Sequence, residues 1–134
     1  MFLKEHKRGY KGILQQLYRM QGERAECERV EYLKQHLKFL KDKSARDLLM
    51  NLGMNRSTLA IDIRMQNIFK HLKVDFPDVK ALAKKGVYDE IEQLIIKMVC
   101  IPLHIEPLVF DRILYQHYEK ILRSDYYQLK LRFG

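Results

Sequence analysis

The chain has 134 residues, 47% of them hydrophobic, with six glycines, three prolines and a formal charge of +8. That length suffices for one domain with a real core and is short for two, and the composition excludes disordered and fibrous chains in favour of a compact, mostly helical globule. The excess of Lys and Arg points to a polyanionic partner, because clustered cations gain by displacing counterions from phosphates; a solvated basic surface gives the same composition.

Residues 1–11 form a basic arm through Lys4, Lys7, Arg8 and Lys11. Tyr10, Ile13, Leu14, Leu17 and Tyr18 recur at helical spacing until Gly22 breaks the pattern. Over 23–40, Val30, Leu33, Leu37 and Leu40 share one face of a second helix. Lys34, Lys38 and Lys41 form a neighbouring stripe on it, which either points positive charge toward the following turn or is a solvated flank. Ala45, Leu48, Leu49 and Leu52 give a third helix, closed by Gly53 as a left-handed stop.

After Gly-Met-Asn-Arg-Ser-Thr, the stripe Met65, Ile68, Phe69 and Leu72 marks another helix. Its start is open between Asn55, Ser57 and Asp62, all favoured cap residues. Pro77 is placed at the first position of a short helix running to Lys84 and Lys85, ended by Gly86. Tyr88, Ile91, Leu94, Ile95, Met98 and Val99 mark the most hydrophobic helix, stopped before Pro102. Phe110, Ile113, Leu114, Tyr118 and Ile121 mark a last long helix opened near Glu106-Pro107. Residues 124–134 are a basic, aromatic tail with Tyr126, Tyr127, Lys130, Arg132 and Phe133, suited to clamping nucleic acid or to folding back on the core. The expectation is a single all-α domain of about six to seven helices.

Cys27 and Cys100 have no CxxC partner, which excludes a zinc or iron–sulfur site built from cysteines; both are expected as reduced, buried thiols. His6, His36, His71, His104 and His117 show no metal-ligand spacing, so neither metal nor cofactor is expected. The N-terminal stretch has no apolar core of signal-peptide length, and no run approaches the roughly 20 apolar residues of a membrane span. The expected location is the cytoplasm, in association with the nucleoid.

Two residues stand out for chemistry. Lys43 falls in the first turn of the third helix, where the positive end of the macrodipole disfavours an ammonium and favours the free amine of a Schiff-base nucleophile. An exposed lysine in the charged run Lys41-Asp42-Lys43 is the plainer alternative. Asp62, flanked by Leu59, Ala60, Ile61 and Ile63, is an acid held against the core at a helix start. It is able to stabilise positive charge or accept a proton, or serves only as an ordinary cap. Nineteen positions separate the two.

The runs Lys43-Ser44-Ala45-Arg46-Asp47, Leu48-Leu49-Met50-Asn51-Leu52-Gly53 and Ala60-Ile61-Asp62-Ile63-Arg64 resemble the helix-hairpin-helix (HhH-GPD) DNA glycosylases of base-excision repair. The likeness is closest to the prokaryotic and archaeal 8-oxoguanine DNA glycosylase/AP lyases. Gly86-Val87-Tyr88-Asp89-Glu90-Ile91-Glu92 and Leu108-Val109-Phe110-Asp111 look like the C-terminal helices of the same enzymes, so the likeness spans about 30–122.

The resemblance implies a helix-hairpin-helix motif over 23–52 and a monomer acting on double-stranded DNA with a damaged base or an abasic site. It implies Lys43 as the nucleophile that attacks C1′ and forms the Schiff base, and Asp62 as the carboxylate that stabilises the oxocarbenium-like charge. Lys38, Lys41, Ser44 and Arg64 would contact the DNA backbone. Three features depart from the family. The turn Phe39-Leu40-Lys41-Asp42 has no glycine where the family hairpin is Gly-rich, Arg64 stands where a His is frequent, and the N-terminal part looks truncated. A non-catalytic DNA-binding module of the same motif and a helical protein-interaction domain are the alternatives.

Overall fold

The three- and four-residue spacing of apolar residues becomes helix along the chain. A computed structural model describes residues 9–124. Its helices are α1 (Tyr10–Arg19), α2 (Ala25–His36), α3 (Asp42–Asn51), α4 (Ile63–His71), α5 (Val79–Leu82) and α6 (Val87–Ile95), then a π-helical turn (Ile96–Cys100), α7 (Pro107–Gln116) and α8 (Tyr118–Arg123). The fold is all-α, with no strand among the described residues. Most of the basic arm (1–8) and nearly all of the aromatic tail (125–134) lie outside the described residues. No described helix is long and apolar enough to cross a membrane. The chain divides into two compact units, one ending at Ala60 and the other beginning at Ile61.

The first unit packs α2 against α3 around Ile13, Leu17, Val30, Leu33, Leu37, Ala45 and Leu49. Each fully buried leucine there contributes about 2 kcal/mol of apolar transfer. Helix α2 stops at His36 and does not reach Leu40, so Lys38 and Lys41 stand in the turn and are not part of a helical stripe with Lys34. Leu37 leaves the helix at φ −119° to bury its side chain, and the Leu40 N–H closes the turn on the Leu37 carbonyl at 2.9 Å.

In α3 the buried positions are Ala45, Arg46, Leu49 and Met50, whereas Leu48 and Leu52 are exposed. The Arg46 guanidinium folds back onto Asp42, which lets a charged residue take an inward place in the helix. Gly53 has φ 75°, and the Met54 N–H beyond it caps the Leu49 carbonyl at 2.9 Å. Cys27 is exposed, contrary to expectation, because the inward face of α2 is taken by Ala25, Val30 and Leu33. Cys100 is buried, and burial pushes its thiol up from its ordinary value.

A polar knot holds the segment after α3. Arg29 donates to the carbonyls of Leu17 (3.1 Å), Met20 (3.0 Å) and Met54 (2.7 Å), and to Asn55 Oδ1 (3.3 Å). Glu26 Oε1 accepts the N–H groups of Arg56 and Ser57 at 3.0 and 2.7 Å. These bonds fold the Met-Asn-Arg-Ser-Thr connection onto α2, so Asn55 and Ser57 are used there and do not cap a helix.

The second unit begins with α4, whose cap is Asp62, the last of the three starts the sequence left open. Helix α4 packs against α7 and α8; Asn67 Nδ2 donates to the Tyr118 hydroxyl at 3.0 Å, and His71 Nε2 lies 2.8 Å from the Ser124 carbonyl. Phe69 and Phe76 stack with centroids 5.0 Å apart. Pro77 lies before the cap of α5, not at its first position, because the Asp78 carboxylate takes the Ala81 N–H at 2.8 Å and sets the boundary there.

Pro107 does open α7 at its first turn. The expected last helix is divided, with α7 and α8 meeting at His117, whose backbone (φ −108°, ψ 16°) leaves the helical region. Tyr118, the first residue after the break, is the one whose hydroxyl reaches α4.

Candidate active site

The turn between α2 and α3 needs no glycine. None of residues 37–41 has a positive φ, so side chains are accommodated without strain. Lys41 caps α3, and its N–H donates to Ser44 Oγ at 2.9 Å, the backward half of a capping box. The Ser44 hydroxyl thus serves the turn itself. Lys38 and Lys41 are exposed beside it, and Lys43 is half-buried in the first turn of α3.

The acid in this turn is neutralised. Lys34 Nζ donates to Asp42 Oδ1 at 2.6 Å, and Arg46 Nη1 reaches the same oxygen at 3.1 Å. Burial alone would lower Lys34, but the hydrogen bond and charge of Asp42, aided by Glu31, outweigh it and hold the ammonium above its ordinary range. A polyanion approaching Lys38 and Lys41 therefore meets an Asp42 whose charge is already shared by two cations.

In the second unit, Asp62 divides its carboxylate between two tasks. Oδ1 accepts the Met65 N–H at 3.1 Å as the cap of α4, and Oδ2 lies 3.6 Å from Arg64 Nη1. The preceding backbone is fixed because the buried Ile61 N–H donates to the Tyr88 hydroxyl at 2.7 Å. The Arg64 guanidinium lies over the Tyr115 ring at 4.8 Å and 6.0 Å from the centre of the Tyr118 ring. Asp62, Arg64, Asp111 and Tyr115 line a shallow recess with Met65 and Leu114. A carboxylate beside a planar cation held on an aromatic face can stabilise positive charge on one side and contact a phosphate on the other.

The residues singled out in the sequence fall into two groups. Lys38, Lys41, Lys43 and Ser44 surround one turn in the first unit, and Asp62 and Arg64 adjoin each other in the second. Arg46 and Tyr115 were given no role by sequence reasoning, and Lys34 and Tyr88, though named as a basic stripe and an apolar stripe, were not given the partners they have here. For Arg46 a signal existed, since Asp42 and Arg46 are spaced four apart at a helix start; Tyr115 carries none, being an aromatic next to the apolar stripe of α7. Among the described residues no group of three or more His, Cys, Asp or Glu is placed to hold a metal ion. Comparison with protein-family models, curated proteins and solved structures gives no match for this chain.

Proposed function

We propose that this chain acts on damaged duplex DNA as a glycosylase with AP-lyase activity, with Lys43 as the nucleophile and Asp62 as the assisting carboxylate. One observation carries the proposal: the lysine and the aspartate open two successive long helices, Lys43 in the first turn of α3 and Asp62 as the cap of α4. The resemblance to HhH-GPD glycosylases gives those two positions their roles.

In this scheme the damaged nucleotide is flipped out of the duplex at a cost of a few kcal/mol. The Lys43 amine bonds to C1′ as the base departs, and Asp62 stabilises the positive charge that develops on the sugar. The aminal so formed loses its N–H proton as the C1′–O4′ bond opens to give the Schiff base; this loses a proton from C2′ while the C3′–O bond breaks and the phosphate departs, which nicks the strand. Water then releases the lysine. Lys38, Lys41 and Arg64 supply backbone affinity that falls with salt.

Borohydride reduction in the presence of a duplex carrying oxidised guanine or an abasic site tests the chemistry. A covalent adduct is expected with the wild-type chain and none with Lys43→Gln. An adduct undiminished in Lys43→Gln, or none with the wild type, overturns it. The second reading, a DNA-binding module without catalysis, draws on the exposed Lys38 and Lys41 beside a turn whose Asp42 is already paired; it predicts salt-sensitive duplex binding with no nicking.

A further inference from the structure

The end of α6, the π turn and the residues just after it leave large apolar side chains uncovered. Leu94 is 52% exposed, Met98 69%, Ile101 60% and Leu103 62%. Lone exposed apolar residues need no explanation, but four within ten residues, two of them (Leu94 and Ile101) lining one groove, mark a contact surface. A groove here is lined by Leu94, Ile96 and Ile101 together with the polar residues Asp89, Glu90, Gln93 and Lys97. The π turn shapes it: the Ile101 N–H reaches back to the Ile96 carbonyl at 2.9 Å, and the widened turn brings Ile101 onto the groove beside Lys97.

Three charges edge the groove, Asp89 and Glu90 toward one end and Lys97 toward the other. Glu90 and Lys97 are both exposed, and neither takes part in an ion pair among the described residues. They lie two helical turns apart with Leu94 between them, so acid, leucine, base repeat along one face. Read from the opposite end, that order becomes base, leucine, acid. The face is therefore complementary to itself under a two-fold rotation, the requirement of an isologous interface.

Other occupants fit the charges less well. A nucleic acid would meet α6, which carries Asp89, Glu90 and Glu92 and no cation. A uniformly basic partner would satisfy Asp89 and Glu90 but collide with Lys97, whereas a second copy sets its basic end against the acidic end and its acidic end against the basic one. We propose that this face is a homodimer interface, with the α6–π segments of two copies antiparallel, Glu90 of each facing Lys97 of the other, and Leu94 beside the axis. The pairing uses neither Lys43 nor Asp62 and stands independently of the proposed DNA chemistry.

Sedimentation of the full chain from micromolar to submillimolar concentration at low salt tests this, with circular dichroism to verify folding. The wild type is expected to shift from monomer to dimer mass. Glu90→Lys and Lys97→Glu each set like charges opposite one another and weaken the dimer by about tenfold or more. The double charge swap is expected to restore it, and Leu94→Asp to abolish it with helix content unchanged. A monomer at every concentration overturns the proposal and assigns the groove to another occupant. So does a dimer indifferent to both charge reversals, or one that the double swap fails to restore.

Discussion

Lys34 Nζ donates to Asp42 Oδ1 at 2.6 Å across the turn joining α2 to α3, and the nearly buried Arg46 shares that oxygen at 3.1 Å. The two cations stand in different positions. Lys34 is partly solvated, and its loss removes one pair at a cost of about 1 kcal/mol. Asp42 is a carboxylate partner of Arg46, a residue only 3% exposed, and charge-assisted hydrogen bonds of that kind contribute about 2 kcal/mol or more. Urea denaturation is expected to show Asp42→Asn distinctly less stable than Lys34→Met. Equal losses would mean that Arg46 draws nothing from Asp42.

The same pair sets an alkaline limit. Burial lowers Lys34, but the hydrogen bond and charge of Asp42 prevail, so its folded value lies above the ordinary 10.5. A lysine raised on folding contributes stability that is complete below 10.5 and is lost as pH rises through the folded value. The difference in denaturation midpoint between wild type and Lys34→Met should hold from neutral pH to about 10 and close above it. A difference that grows with alkalinity would contradict the assigned pair.

Backbone geometry gives a prediction independent of any charge. Lys73 ends α4 at φ 62°, the left-handed position usually held by glycine, with the Val74 N–H capping the Phe69 carbonyl at 2.9 Å. Lys73→Gly is expected to stabilise the chain by about 1 kcal/mol through relief of the left-handed conformation. Gly53 holds the corresponding place after α3 at φ 75°, and a Cβ there would meet nothing within 4 Å. Gly53→Ala should therefore lose about 1 kcal/mol from the backbone alone. Thermal melts that move in the same direction for both variants would refute the assignment.

Legibility in the sequence followed the range of the interactions. That α1 to α4 are helices, and that Pro107 heads α7, could be read directly, because periodicity and proline chemistry act within a few residues. The start of α4 could not, although Asp62 was among its candidates. Asn55 and Ser57 were removed from the choice by Glu26 and Arg29, about thirty residues earlier. The end of α2 was misjudged for a related reason: Leu40 fits the helical stripe, but the chain turns at Leu37 so that Lys34 can meet Asp42. Lys43 and Asp62 were recognisable by type, spacing and resemblance, whereas Tyr115 became visible only once α7 was folded against α4.

That contact supplies the last prediction. Arg64 is held between Asp62 Oδ2 at 3.6 Å and the face of Tyr115 at 4.8 Å, so the aromatic ring and the carboxylate together fix one guanidinium. A cation over an exposed ring contributes about 0.5–1 kcal/mol, small enough that a single substitution would not isolate it. A double-mutant cycle does so: Arg64→Gln and Tyr115→Leu should each destabilise, and the pair together should cost about 0.5–1 kcal/mol less than their sum. Tyr115→Phe keeps the ring face and should restore the coupling, which distinguishes stacking from a role of the hydroxyl. If Arg64 also contacts a phosphate, Arg64→Gln will flatten the salt dependence of duplex binding by about one unit of slope. Tyr115→Leu, which leaves the charge in place but unanchored, will weaken binding while preserving most of that slope. Additive losses of stability in the cycle would show that the guanidinium and the ring act separately.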